Sequence, residues 1–213
     1  MTVASGSAEN TAVALTGNLK LVKKGAGTLI ASKAGQSYTG GTEVQAGTLA
    51  LGTATHPLGN GNATQTVTLR ENAVFNFANY KNDTTCCYKF NLYGGSEVRA
   101  SSSGTRWIRL VGSATLYGDA TFKGGTFDFF GGIQSAHTTL TLNGHTLYLN
   151  LNTNDGNLRY IKTLDAGSVV FSAGAASFYG SVDFSTATCR LLRAARHDNG
   201  YDRIPSFQTL IFN

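Results

Sequence analysis

Proline is nearly absent from this chain, at 2 residues in 213, while glycine is plentiful at 26. Corners must therefore be turned by glycine, asparagine and serine, which tolerate left-handed backbone or bond their own turns. Charge is scarce too: only 14% of residues are Asp, Glu, Lys or Arg, against about a quarter in ordinary globular domains. Acids are the scarcer sign, 12 against 17 bases, which leaves a net charge of +5 and a pI near 9.2. The bases are scattered, which argues against a nucleic-acid partner. Three cysteines, Cys86, Cys87 and Cys189, are too few for a disulfide framework. Adjacent Cys86 and Cys87 would close a strained ring, and a bridge from either to Cys189 would span the whole second half of the chain. No CxxC or Cys/His spacing suits zinc. No stretch approaches the 18 apolar residues of a membrane helix. The residues after Met1, Thr-Val-Ala-Ser-Gly-Ser, are neither basic nor apolar enough for a signal peptide. The closing segment also lacks the alternating strands of a membrane barrel. What is left, a chain 41% hydrophobic, suffices for one packed domain or a piece of a longer array.

What is present is a repeat. Ala26-Gly27-Thr28-Leu29-Ile30-Ala31 returns as Ala46-Gly47-Thr48-Leu49-Ala50-Leu51. A short fixed period of this kind signals a solenoid, in which each level of chain stacks on the last. Leu19 and Leu21 alternate with Asn18 and Lys20, giving one apolar strand face. Gly25-Ala26-Gly27 turns a corner, Thr28 to Ala31 is a second strand, and Gln36 to Gly41 turns again. Thr42 to Gln45 is a third strand, and Thr48 to Leu51 should then lie directly over Thr28 to Ala31. Three short strands within one such period make one coil of a parallel β-helix.

The phrases Lys24-Gly25-x-Gly27-Thr28-Leu29 and Tyr38-Thr39-Gly40-Gly41-Thr42-x-Val44-x-x-Gly47-Thr48-Leu49 resemble the autotransporter-associated β-strand repeat, also called the passenger-associated transport repeat. Pro57-Leu58-Gly59-x-Gly61 and Val67-Thr68-Leu69 continue as such repeats do. One clear copy is present, residues 20–51, within a repeat unit at 16–53. The resemblance implies a right-handed, single-stranded parallel β-helix on a bacterial surface or in a secreted protein, as a fragment of a passenger. It implies no catalytic residue.

Along the rest of the chain, Thr11 to Leu15 reads as a first strand and residues 1–15 as a fraying or capping end. Val67 and Leu69 alternate with Thr66 and Thr68, Val74, Phe75 and Phe77 follow, and Tyr88, Phe90 and Leu92 alternate in the next strand. Ala114-Thr115-Leu116, Ala120-Thr121-Phe122 and Gly125-Thr126-Phe127 form the three strands of about one coil. Thr126-Phe127-x-Phe129 and Thr146-Leu147-x-Leu149 repeat the initial period, and Asn150, Asn152 and Asn154 are placed for an amide ladder. Strands follow at 158–163, 168–172 and 177–184. The β-helix is expected over 1–186, with 187–213 a distinct C-terminal cap or the start of further coils. Within that segment, Ala187 to Arg196 reads as a short helix carrying Arg190, Arg193 and Arg196, with Arg203 nearby. With about 20–22 residues per coil the chain makes roughly nine coils, a rod on the order of 45 Å long.

Three functional readings follow. The first is a non-catalytic scaffold or stalk, with the rest of a longer passenger as its partner and no cofactor. The second is an adhesin binding glycans or other cell-surface molecules through the polar excursion at 78–87, with Tyr80, Lys81, Asn82, Asp83 and Tyr88 as contacts. Aromatic rings stack on sugars, and loops on a rigid scaffold commonly carry binding. The third is a polysaccharide lyase or hydrolase, which needs clustered carboxylates. Only Asp119, Asp128 and Asp183 lie near strands at workable spacing, with no Asp-Asp or Asp-x-Asp pair. That scarcity argues against an enzyme. His56, His137, His145 and His197 are dispersed, and no HExxH, GxSxG or P-loop occurs.

Overall fold

The computed structural model describes residues 1–52, 58–59, 65–78, 85–86, 88–100, 107–110, 112–124, 126–129, 138–150, 156–158, 161–173, 176–178, 182–191, 196–197 and 206–212. Of 85–86, 107–110, 126–129, 156–158, 172–173, 176–178, 191, 196–197 and 206–212 it describes the backbone alone. All elements among them are β-strands, and all the pairings are parallel. The fold is a parallel β-solenoid whose strands fall on three faces.

The first face stacks Leu21–Lys23, Thr42–Val44, Thr66–Leu69, Lys89–Leu92, Ala114–Leu116, Thr138–Thr141, Ile161–Thr163 and the start of Val182–Leu191. The second stacks Ala8–Asn10, Thr28–Ala31, Thr48–Leu51, Val74–Asn76, Ser96–Arg99, Ala120–Lys123, Thr146–Asn150, Ser168–Ala173 and the end of Val182–Leu191. The third carries Thr16–Gly17 on Ser37–Tyr38, and then Thr85–Cys86, Trp107–Leu110, Thr126–Phe129, Gly156–Leu158, Ala176–Phe178 and Arg196–His197. Ser206–Phe212 pairs with Val182–Leu191 along both of the first two faces, across a register shift.

The expected stacking of Thr28 to Ala31 under Thr48 to Leu51 is found residue for residue. Alternation sends every second side chain inward, and parallel register lines these into files. Leu29, Leu49, Phe75, Val98, Phe122, Leu149 and Phe171 form one such file, all buried. Phe75 is its hub, with Phe77 at 5.0 Å, Phe90 at 5.6 Å and Tyr88 at 6.0 Å, each edge to face. That geometry suits the ring quadrupoles and adds to plain burial. The outward row runs Thr28, Thr48, Val74, Glu97, Thr121, Tyr148, Val170, Arg190. Its steps are unequal: Thr28 to Thr48 and Val170 to Arg190 are the shortest, Thr121 to Tyr148 the longest. The period is thus looser than the first two phrases suggest.

Several expectations change. Leu19 is 54% exposed, because the strand starts only at Leu21 and the corner before it breaks the alternation; the inward pair is Leu21 and Lys23. The first strand is Ala8–Asn10 rather than Thr11 to Leu15. The chain start is docked, with Met1 donating its terminal amine to Val22 O and Thr2 bridging Lys24. The two phrases at Thr126 and Thr146 are not stacked: Thr126–Phe129 lies on the third face and Thr146–Asn150 on the second, above Ala120–Lys123. Their spacing is coincidental. Asn150 is flanked by Lys123 and Ala173 rather than by other amides, and Asn152 and Asn154 lie outside the described residues. The helix expected over 187–196 is strand at 187–191 and at 196–197. Ladder pairing to Val169 and Leu210 fixes Cys189 there and overrides local propensity. Cys86 pairs with Leu110 on the third face, whereas Cys189 is a free buried thiol on the second, five levels further along. At roughly 4.8 Å per level they stand too far apart to bridge.

Corners set the tolerance of the stack. Gly47 has φ +68°, and a Cβ there would lie 2.5 Å from Gly27 O. Gly144 has φ +79°, with nothing within 4 Å of an added Cβ. Gly144→Ala should therefore cost about 1 kcal/mol from backbone strain alone, and Gly47→Ala clearly more. Urea unfolding of the two variants checks the ranking; equal losses would show that the close approach at Gly47 carries no weight.

Candidate functional site

One set of outward side chains crosses the first face from Lys20 through Glu43 and then climbs the corner where that face turns into the second. Glu43 points outward from Thr42–Val44, yet only 6% of it is exposed. Lys20 Nζ donates to its Oε2 at 2.6 Å from the preceding level, and Arg70 Nε donates to its Oε1 at 2.7 Å from the following one. Arg70 also lies over the Tyr93 ring, 4.5 Å from its centroid. Tyr93 in turn stacks on Tyr117, with centroids 4.9 Å apart and planes 17° apart. Lys20, Glu43, Arg70, Tyr93 and Tyr117 belong to five successive levels, so one side-chain file runs up the outside in parallel with the backbone ladder. The two cations hold the Glu43 carboxyl down at about 2, against an ordinary 4.5.

Beyond Tyr117 the file changes character. Asn143, with φ +50°, turns its Nδ2 back onto Leu116 O at 2.7 Å. Asp119 Oδ1 accepts Thr146 N at 2.7 Å, and His145 Nδ1 stands 4.0 Å from the same oxygen. Asp165 accepts Leu142 N at 2.6 Å and Asn143 N at 2.8 Å. These carboxylates satisfy corner amides that the ladder leaves unpaired.

Inside, one charge breaks the aliphatic order. Lys23 heads the file Lys23, Val44, Leu69, Leu92, Leu116 and is fully enclosed. Its Nζ donates to Gly25 O and, at 2.8 Å, to Ala46 O, so the ammonium binds two corner carbonyls. Burial lowers its pKa below the ordinary 10.5. Tyr38, equally enclosed, has its hydroxyl 2.6 Å from Thr42 Oγ1, and burial raises its pKa to about 12. Gln65 donates to Tyr38 O, which ties the following level to this pair.

Among the residues expected to bind, Tyr88 packs in the core against Phe75 and Phe90, offering no ring face to a ligand. Its place follows from its parity with Phe90 and Leu92, which point inward. Tyr80, Lys81, Asn82 and Asp83 lie outside the described residues. Asp119 sits at the corner, Asp128 on the third face and Asp183 on the first face three levels on, so the structure does not bring these three together. Arg190 stands on the second face and Arg196 on the third, while Arg193 and Arg203 lie outside the described residues. Among the described residues no three His, Cys, Asp or Glu gather as a metal site, and no helix is long and apolar enough to cross a membrane. Sequence reading missed the Lys20-to-Tyr117 file, although a signal existed: Arg70, Tyr93 and Tyr117 each follow an inward leucine, Leu69, Leu92 and Leu116.

Residues 21–51 match the passenger-associated-transport-repeat family. That match covers the strands from Leu21–Lys23 to Thr48–Leu51, and so includes Lys23, Tyr38, Glu43 and Gly47. No curated protein and no solved structure matches the chain.

Two titrations test these assignments. Because the Glu43 pKa is lowered in the fold, its contribution is complete above pH 4.5 and fades as pH falls toward 2. Glu43→Gln should cost about 1–2 kcal/mol at pH 6, discounted because both cations are partly exposed, and the gap to the parent should close on acidification. A gap unchanged at pH 2.5 would sink the ion-pair account. Lys23 also has a lowered pKa, but as a base: unfolded chains keep its proton where the folded chain sheds it, so stability rises with pH in the window below 10.5. Chemical denaturation from pH 7 to 10 should show that rise in the parent and lose it in Lys23→Met.

Proposed function

We propose that the chain is a non-catalytic β-solenoid scaffold, a segment of an autotransporter-like passenger displayed on a bacterial surface or secreted. The observation that carries this reading is the passenger-associated repeat at 21–51, which is built into the same ladder as the rest of the described chain. A surface of Thr, Ser and Asn with little charge suits an extracellular rod, and nearest-neighbour pairing along the stack resists local opening. The remainder of a longer passenger is the expected partner, and no cofactor is invoked.

Cells producing the native protein would be fractionated, blotted with an antibody to residues 20–51, and treated intact with protease. A surface-exposed, protease-sensitive band much larger than 22.4 kDa is the expected result. A protease-protected band inside the cell would overturn the reading and leave only the fold.

A further inference from the structure

The aromatic file ends on an open face. Tyr93 is sandwiched: Arg70 lies on one side and Tyr117 on the other. Tyr117 has only one such neighbour among the described residues and is 50% exposed. A ring covered on one side by a parallel ring keeps that much exposure only if its second face meets solvent. The next level offers Asn143 in this file, an amide rather than a third ring, and its Nδ2 is committed to Leu116 O. Tyr117 is thus the last ring of the stack and keeps half of its surface open to solvent.

Polar groups share that corner: Asp119 follows Tyr117 by two residues, and His145 comes from the next level. The Asp119 side chain is 55% exposed, and only its Oδ1 is engaged, by Thr146 N and the more distant His145. Its Oδ2 has no partner among the described residues. The His145 side chain is 39% exposed. A flat apolar surface with a hydrogen-bond acceptor and an imidazole at the same corner suits a ligand that is apolar on its face and hydroxylated around its rim. A pyranose with equatorial hydroxyls has that form: its axial C–H bonds face the ring and its hydroxyls reach the edge. The Asp119 carboxylate disfavours an anionic sugar by like-charge repulsion.

We propose that the open face of Tyr117, with Asp119 and His145 at the same corner, binds a pyranose ring of a neutral, β-linked oligosaccharide. The site is made of other residues than those at 80–83 and does not depend on the scaffold reading.

The test is calorimetric titration of the full chain with cellohexaose and with chitohexaose. One stacked ring with two or three hydrogen bonds should give a dissociation constant of about 0.1–1 mM for at least one of them. Tyr117→Ala should weaken binding at least tenfold, Tyr117→Phe should retain it, and Asp119→Asn should weaken it severalfold. Tyr148→Ala, an exposed tyrosine on the second face, should leave it unchanged. Circular dichroism confirms folding of each variant, and Tyr117→Phe with Asp119→Asn decide the matter if Tyr117→Ala is misfolded. Absence of binding to both sugars, undiminished binding by folded Tyr117→Ala, or equal affinity for an oligogalacturonate would each overturn the proposal.

Discussion

Parallel pairing that sets Leu49 over Leu29 and under Phe75 obliges every coil to return its inward side chains to the same files. A one-residue slip would exchange the buried and exposed faces of a strand, so the register is fixed by burial as much as by hydrogen bonds. Coils of unequal length are accommodated because the extra residues fall between paired strands rather than within them. The corner glycines make this workable: Gly47 lets the backbone of one level come against Gly25 and Gly27 of the level before it.

Electrostatics follows the same one-dimensional logic. Glu43 serves the levels on both sides of it, through Lys20 and Arg70, and Arg70 hands on to an aromatic pair. Each contact joins neighbours only, yet their sum links five levels. Lys23 is the internal counterpart. A buried ammonium is costly unless its donors are met, and here two inward carbonyls at adjacent corners meet them. Val44, Leu69 and Leu92 occupy the same file at later levels without such a partner, so the polar arrangement is confined to the first corner.

Much of the architecture was legible in the residues. The echo of Thr28 to Ala31 in Thr48 to Leu51 revealed register directly, and alternation grouped Val67 with Leu69 and Phe90 with Leu92, all of them buried. The strands at Ala114, Ala120 and Thr126 do form three faces of a single level. What misled was local pattern without its stacking partner. Leu19 alternates with Leu21 in sequence but sits in a corner. Thr126 and Thr146 share a phrase but not a face. Ala187 to Arg196 has helical composition, but Val169 and Leu210 hold part of it as strand. The surface file was hidden because its members come from different levels, and coils of unequal length put them at unequal spacings. Glu43 reads as an ordinary surface acid until Lys20 and Arg70 are seen on either side of it.

The register shift within Val182–Leu191, between Phe184 and Thr188, has its own consequence. Elsewhere a turned corner separates the first face from the second, but here one strand carries both, and Ser206–Phe212 follows it. The bend between faces has become a bulge within a continuous ribbon. In these last two levels the two faces therefore share one backbone ribbon, and a load on either face passes to the other along the chain itself rather than across a turn.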